Sequence, residues 1–397
     1  MVKPFESLSV CMVVHQNIRK PNPRVINQSI ALKNLGATIF WVSPMIRGEK
    51  CNTIKLPTEK RIFVKTYPNI RFITYGLPIN FPFIIGIIAL SAKSKIYHVH
   101  DMRMLGVALF LKLLGKKVIY EIGDDNASLV TSKLKNVIMK KITEFILRSI
   151  ESFSLRFFDY VITLTDWLKL DKVAFTKKIS TLYYYPFIYY PSNISPYQQP
   201  CNRKENLLIY IGQIAFSKGL EEMVTTVRVI KKHIHTLKIL LIGPIEYNER
   251  LFLSKVFQED HNLTSTILIH PEVSHWEIQK YLTQAKIGLN FLKPLCRSYL
   301  IALPLKVLDM MACGLPVISF SGMKEVERIA YDSKAVLLVD SNNLEEIVNT
   351  IENLLLDENS RYLLINNAKK YTQKNFTREK FETEILNIYS ESIKADC

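Results

Sequence analysis

No Gly-x-Gly-x-x-Gly follows any strand-like run in this 397-residue chain. A Rossmann oxidoreductase needs that fingerprint to bring its backbone up to a dinucleotide phosphate, so NAD-dependent chemistry is only an alternative reading. A Walker loop, a Gly-x-Ser-x-Gly elbow, an Asp-x-Asp metal pair, a tandem repeat and a low-complexity tract are also missing. The six cysteines (Cys11, Cys51, Cys201, Cys296, Cys313, Cys397) are scattered without metal-type or redox-type spacing, which fits a reducing cytosol and predicts no metal ligand set. The longest apolar run, Ile79 to Ala92, is interrupted by Pro82 and is too short to span a bilayer. Met1 to Ser9 carries Lys3 and Glu6 with no long apolar run behind it, so no signal peptide is expected and the predicted location is cytoplasmic.

Acid is scarce in the first half. Residues 1–200 hold 28 Lys and Arg against 12 Asp and Glu, whereas residues 201–397 hold 24 of each. The whole net charge of +16 therefore lies in the first half. It points to an anionic partner there: nucleic acid, an acidic membrane surface or an anionic substrate. A nucleic-acid binder should gather its aromatics and cations into one recognisable module; none is visible, so no nucleic-acid partner is expected. A non-catalytic nucleotide- or nucleic-acid-binding protein stays as a second alternative.

What is present is a chain with 48% hydrophobic and 22% charged residues, long enough for two ordinary domains. Leu8 to Val14 is a strand, Val25 to Leu35 a helix ended by Gly36, and Ala37 to Val42 a strand, the opening of an α/β domain. Residues 55–95 are the least regular part of the first half, and Ile84 to Leu90 within them suits a buried or a lipid-contacting helix. The pattern resumes with strand Ile96 to His100, helix Leu105 to Leu114, Gly115, strand Val118 to Glu121 and strand Tyr160 to Thr165. Thr181 to Pro200, rich in Tyr and Pro, cannot hold a regular helix and reads as a linker. A second set follows: strands at Leu207 to Gly212, Lys238 to Gly243, Thr266 to His270, Ile287 to Phe291 and Val336 to Val339, and helices at His275 to Gln284, Asn343 to Leu355 and Thr377 to Ser392. The predicted class is α/β, with Rossmann-like domains at 1–190 and 201–376 and a terminal helix at 377–397.

Three places carry candidate chemistry. Leu305 to Cys313 reads as a short buried helix, started by Pro304 and stopped by Gly314, with one carboxylate, Asp309, among apolar neighbours. Such a charge is costly unless something binds it; an acid facing water is the alternative. After Gly212, Lys218 and Gly219 precede a helix from Leu220, and a lysine beside free helix N–H groups makes an anion site. His100 ends a strand, where α/β sheets bind ligands, or it is a loop histidine bonded to backbone. Residues 133–158 form one amphipathic pattern with Leu134, Val137, Ile138, Ile142, Phe145, Ile146, Ser149 and Phe153 on a stripe. Lys133, Lys135, Lys140, Lys141 and Arg148 lie largely off it. A helix packed on the core by that stripe is the preferred reading; a helix on an anionic membrane surface is the sharper one.

Pro304, Lys306, Asp309, Met311, Ala312, Gly314, Pro316, Val317 and Ile318 resemble the donor-binding signature of family 4 of the retaining glycosyltransferases, the GT-B enzymes of glycosyl transferases group 1. Asp309 stands where glutamate is usual. The resemblance extends to Gly212, Lys218 and Gly219 as a diphosphate site, with Gln213 in place of an arginine; to the strand ending at Gly243; and to Ser321, Gly322 and Glu325. Pro21 to Val25 and Ala31 to Phe40 resemble the family's opening, and His98 to Asp101 its first-domain strand end. The family's other signature acid would fall at Ile301. The resemblance implies two Rossmann-like domains facing across a cleft, a terminal helix at 377–397 crossing back to the N-terminal domain, and no cofactor beyond the donor substrate, a UDP- or GDP-sugar. It implies metal-independent transfer with retention to a glycan or lipid-linked acceptor, as in surface polysaccharide or glycolipid assembly, at a possible anionic membrane surface on the inner face of the cell membrane. Asp309 would hold ribose hydroxyls, since its two oxygens accept from two adjacent hydroxyls. Lys306, Lys293 or Arg297 would supply the cation missing at Gln213. His100 would lie beside the transferred sugar with Asp101 next to it, and Glu121 and Asp124 would be acceptor-side groups.

Overall fold

The computed structural model describes residues 3–16, 22–44, 53–55, 61–67, 73–74, 77–78, 82–132, 134–186 and 206–394. Most of the Tyr/Pro-rich linker lies outside them, as do Pro21 and Lys133. The chain divides into two compact units: Met1–Tyr190 with Cys296–Ile301 and Arg378–Cys397, and Pro191–Leu295 with Ala302–Thr377. Both are α/β with parallel sheets of Rossmann type.

Unit 1 runs β1 (Ser9–Val13), α1 (Pro23–Asn34), β2 (Thr38–Pro44), β3 (Thr53–Lys55), β4 (Arg61–Tyr67), the hairpin pair β5 (Ile73–Thr74) and β6 (Leu77–Pro78), and α2 (Pro82–Leu90). It continues with β7 (Ile96–His100), α3 (Leu105–Leu113), β8 (Lys117–Ile122), α4 (Asn126–Thr131), α5 (Val137–Ser154), β9 (Tyr160–Thr163), α6 (Asp166–Lys172) and β10 (Ile179–Thr181). The sheet order is β10-β9-β8-β7-β1-β2-β4-β3, parallel except for the edge strand β3. Strands covered on both faces must be apolar on both, and Val10 to Val13 and Ile96 to His100 are buried without a break. Helix α1 starts where Asn22 caps Arg24 N and Pro23 takes the first turn, and it stops before Gly36, whose φ is +105°.

Unit 2 runs β11 (Leu207–Ile211), α7 (Leu220–Ile230), β12 (Lys238–Ile242), α8 (Tyr247–Glu259), β13 (Ile267–His270), α9 (Ile278–Leu282) and β14 (Ile287–Asn290). After α10 (Arg297–Ile301), which groups with unit 1, come α11 (Leu305–Ala312), β15 (Val317–Phe320), α12 (Lys324–Ser333), β16 (Val336–Val339), α13 (Leu344–Leu356) and α14 (Glu358–Asn375). Its order is β13-β12-β11-β14-β15-β16, all parallel. The stacked rings of Phe291 and Phe320, 4.3 Å apart, belong to its apolar core. The final helix α15 (Arg378–Ile393) packs on α1 and β8 of unit 1, where the Tyr389 hydroxyl bonds His98 Nδ1 at 2.8 Å.

The preferred sequence reading fails at α5. Its apolar stripe faces outward, with Val137, Ile138, Met139, Ile142, Phe145, Ile146, Ile150 and Phe153 all exposed. Its polar side is turned in: buried Glu151 bonds the Tyr120 hydroxyl and pairs with Lys172 at 2.8 Å, and Arg148 pairs with Asp125 at 2.5 Å. Ion pairs between partners buried together offset the desolvation cost that amphipathic patterning normally avoids. Helix α2 is divided: Ile85, Gly86 and Ala89 are buried, while Phe83, Ile84 and Ile87 are exposed.

Candidate active site

In each unit the strand order reverses at one point, between β1 and β7 and between β11 and β14. Loops at the carboxyl ends of strands part there and leave room for a ligand.

At the reversal in unit 2, Gly212 follows β11 and Gly243 follows β12. The two loops touch backbone to backbone: a Cβ on Gly243 would sit 1.9 Å from the Gly212 carbonyl oxygen. Gly219 has φ +80°, and a Cβ there would meet the Phe291 Cβ at 2.4 Å. These glycines are therefore close-approach positions, and Gly219 also takes the left-handed conformation that opens α7. Lys306, on the first turn of α11, reaches under this loop. Its Nζ lies 4.0 Å from the centre of the Tyr210 ring and 3.5 Å from the position of a Gly212 Cβ. No carboxylate pairs with it among the described residues. Burial, reinforced by the charge of Lys218, lowers its pKa from 10.5 to about 7. Two half-buried lysines thus meet beside this glycine loop.

Three residues after Lys306, Asp309 is buried with an oxygen 3.6 Å from His275 Nε2. Burial holds His275 down to about 4, so at neutral pH its ring is uncharged. Glu325, on the first turn of α12, is fully buried and accepts from Arg328 Nη2 at 2.8 Å. Lys293 is occupied by Glu222 at 2.7 Å. Arg297 is not in this unit: its guanidinium makes a bidentate bond to Asp171 at 2.8 and 2.6 Å and contacts Asp125 at 3.3 Å.

At the reversal in unit 1, His100 ends β7 and Asp101 follows with φ +81°, a value costly for any residue but glycine. Asp101 is held there by its bond to Met102 N, by Asn126 Nδ2 and by His15 Nδ1 at 3.5 Å. His100 is opposite Glu121 in the sheet register, and its ring stacks on His98 with centres 4.1 Å apart. The buried Glu121 carboxylate collects Gln28 Nε2 at 2.5 Å, Arg24 Nη1 at 3.3 Å, His98 Nε2 at 3.4 Å and His100 Nδ1 at 3.6 Å. Burial would raise its pKa, but the surrounding positive charge and hydrogen bonds hold it well below the carboxylate range. His98, His100 and Glu121 bring metal-ligand atom types within 4.8 Å of one another. Arg24 and Gln28 already occupy the carboxylate, so the cluster is an ion-paired network around an anion. His100 Nε2 is buried without a hydrogen-bond partner among the described residues. With Nδ1 turned to Glu121, that atom is the one left for a ligand.

Residues 193–371 match the family model of glycosyl transferases group 1. That match supports a glycosyltransferase, and it covers the stretch that holds the Gly212, Lys306 and Asp309 site. An uncharacterized glycosyltransferase of Haemophilus influenzae is 22% identical over 230 residues, 58% of this chain and 61% of that relative. The chain thus spans about 61% of the length of the curated relative it matches. Among solved structures, sucrose-phosphate synthase of Thermosynechococcus elongatus superposes with a TM-score of 0.75 at 16% identity, over 98% of this chain and 100% of that one. HepE of Anabaena, solved with UDP, gives 0.67 at 12% identity, over 96% and 100%. At these identities the likeness establishes the fold, that of the GT-B glycosyltransferases.

Of the residues singled out from the group 1 resemblance, Gly212, Lys218, Gly219, Gly243, Lys306 and Asp309 share the reversal point or the helix beside it, with Glu325 on α12. His100, Asp101 and Glu121 cluster in unit 1. Asp124 follows β8, and its carbonyl accepts from Asn126 N at 2.9 Å. Reading the sequence missed His15, Arg24, Gln28, Tyr210 and His275. His15 was findable, since it lies just past a strand's carboxyl end, the rule already applied to His100. Gln28 and His275 carry no local signal, because only the fold brings them to their partners.

Proposed function

We propose that this protein transfers a sugar from a nucleotide diphosphate sugar, a UDP- or GDP-sugar, to a glycan or lipid-linked acceptor, with retention and without a metal. The observation that carries the reading is Lys306, a half-buried lysine whose amine lies under the glycine loop with no carboxylate beside it and a second lysine nearby. A diphosphate supplies the missing charge. Gly212 and Gly243 let the backbone approach it, and Lys218 and Lys306 stabilise the negative charge that grows on the leaving diphosphate as the glycosidic bond breaks. Asp309, buried beside His275, accepts from ribose hydroxyls, and Glu325 on α12 serves the sugar. In unit 1, His100 offers Nε2 to the transferred sugar, its ring fixed by Glu121 and His98. Lys293 and Arg297 drop out of the donor site in this reading, because carboxylates already hold them. Retention and metal independence rest on the resemblance of the signature. The basic first half favours an acceptor presented at an anionic surface, as in surface polysaccharide or glycolipid assembly on the inner face of the cell membrane.

The test is a thermal-shift panel of UDP, GDP, their sugars and NAD. The expected outcome is stabilisation by a nucleotide diphosphate and its sugar, followed by release of that nucleotide when an acceptor extract is added. Stabilisation by NAD alone would overturn the reading.

A further inference from the structure

Helix α5 is amphipathic and mounted backwards. From residue 135 to 157 the exposed positions comprise nine large apolar residues, Phe157 among them, and every exposed charged residue there is basic: Lys135, Lys141 and Arg156. The acids of this stretch point away, Glu144 paired with Arg148 and Glu151 buried on Lys172. Phe145 is 72% exposed and Ile138 69%, on a helix of 18 residues about 27 Å long. An apolar strip of that length facing water is unfavourable and marks an interaction surface.

We infer that this face of α5 lies on an anionic membrane, with its apolar side chains in the boundary between headgroups and acyl chains and its lysines on lipid phosphates. Three observations favour lipid over a second copy of the chain. The rim is purely basic, so two copies face to face would oppose like charges. The first half of the chain, which contains α5, carries the whole +16. The β7-to-β8 and β8-to-β9 crossovers run in one direction across the sheet, and the right-handed rule puts α3 and α5 on the same face. Helix α2 packs on α3 through Phe83 and Phe110, 5.2 Å apart, and adds exposed Ile84 and Ile87 to that side. No helix among the described residues is long and apolar enough to cross a membrane, so the contact is peripheral.

The inference deepens the reading of a lipid-linked acceptor, and its test needs no sugar donor. The full chain is sedimented with phosphatidylcholine vesicles, with and without phosphatidylglycerol. The protein should partition onto the anionic vesicles and be released by salt. Lys135→Glu/Lys141→Glu should cut partition by about tenfold or more, and Ile142→Ser/Phe145→Ser by at least about tenfold. Neither pair should change the nucleotide thermal shift, because these side chains are exposed and lie in the other unit. Failure of the wild-type chain to bind anionic vesicles overturns the inference and leaves the donor site untouched. A self-association abolished by Ile142→Ser/Phe145→Ser, without lipid binding, would assign the face to a second copy instead.

Discussion

Lys306 is where sequence, burial and chemistry meet most tightly. Its amine is held at about 7, below the ordinary 10.5. Between those values the unfolded chain carries a proton that the folded, ligand-free chain lacks, so stability rises as pH climbs from 7 toward 10.5. Below pH 7 the full cost of desolvating the charge is present. A diphosphate favours the charged amine, so its binding should take up a proton above pH 7 and weaken as pH rises through that window. Calorimetry in buffers of different ionisation enthalpy measures this uptake. Lys306→Met should abolish it, weaken nucleotide diphosphate binding by about 10- to 100-fold, and leave the ligand-free melting temperature at neutral pH unchanged or higher. The sequence singled out Lys306 as a position of the signature and as one of three cations able to replace an arginine. Which one is free could not be read there, because the pairing of Lys293 with Glu222 and of Arg297 with Asp171 is set by tertiary contact.

Single elements were legible where their ends carry conformationally special residues. Pro304 and Gly314 delimit α11 as the sequence predicts, with Gly314 at φ +61°. Gly36 and Gly115, both at positive φ, close α1 and α3 likewise. Helix α5 was legible as a helix and illegible in its orientation: a hydrophobic stripe states that a face is apolar, not what covers it. The inversion is decided by Tyr120, Asp125 and Lys172, residues on other elements that receive its polar side. The loops after β11 and β12 make the complementary case. The resemblance singled out Gly243 as a donor-side strand end, but not that its contact with the Gly212 carbonyl leaves no room for a side chain. Gly243→Ala must displace that carbonyl and the loop beside Lys306. It should destabilise the protein by about 2–3 kcal/mol and weaken nucleotide binding further than the stability loss accounts for, as denaturant melts with and without UDP or GDP would register.

At the scale of the molecule, the two units share a sheet architecture and divide the chemistry. Unit 2 carries the glycines and two lysines of the proposed anion site; unit 1 carries a buried carboxylate network and most of the excess positive charge. That division was visible in the sequence as the change of charge balance near the linker; the return of α15 to unit 1 was expected from the resemblance alone, since the contacts that fix it, such as Tyr389 to His98, are long-range. If the nucleotide part of the donor is held by unit 2 alone, UDP or GDP without its sugar should protect amides of β11, β12, α7 and α11 from hydrogen exchange. The gain should follow mass action, about 2.7 kcal/mol at a hundredfold excess over Kd, for openings that expose the site. Amides of β1, β7 and β8 should keep their ligand-free rates. Equal protection of both units by the bare nucleotide would place its binding energy beyond Gly212, Lys218 and Lys306, and the assignment of the anion site to unit 2 would fall.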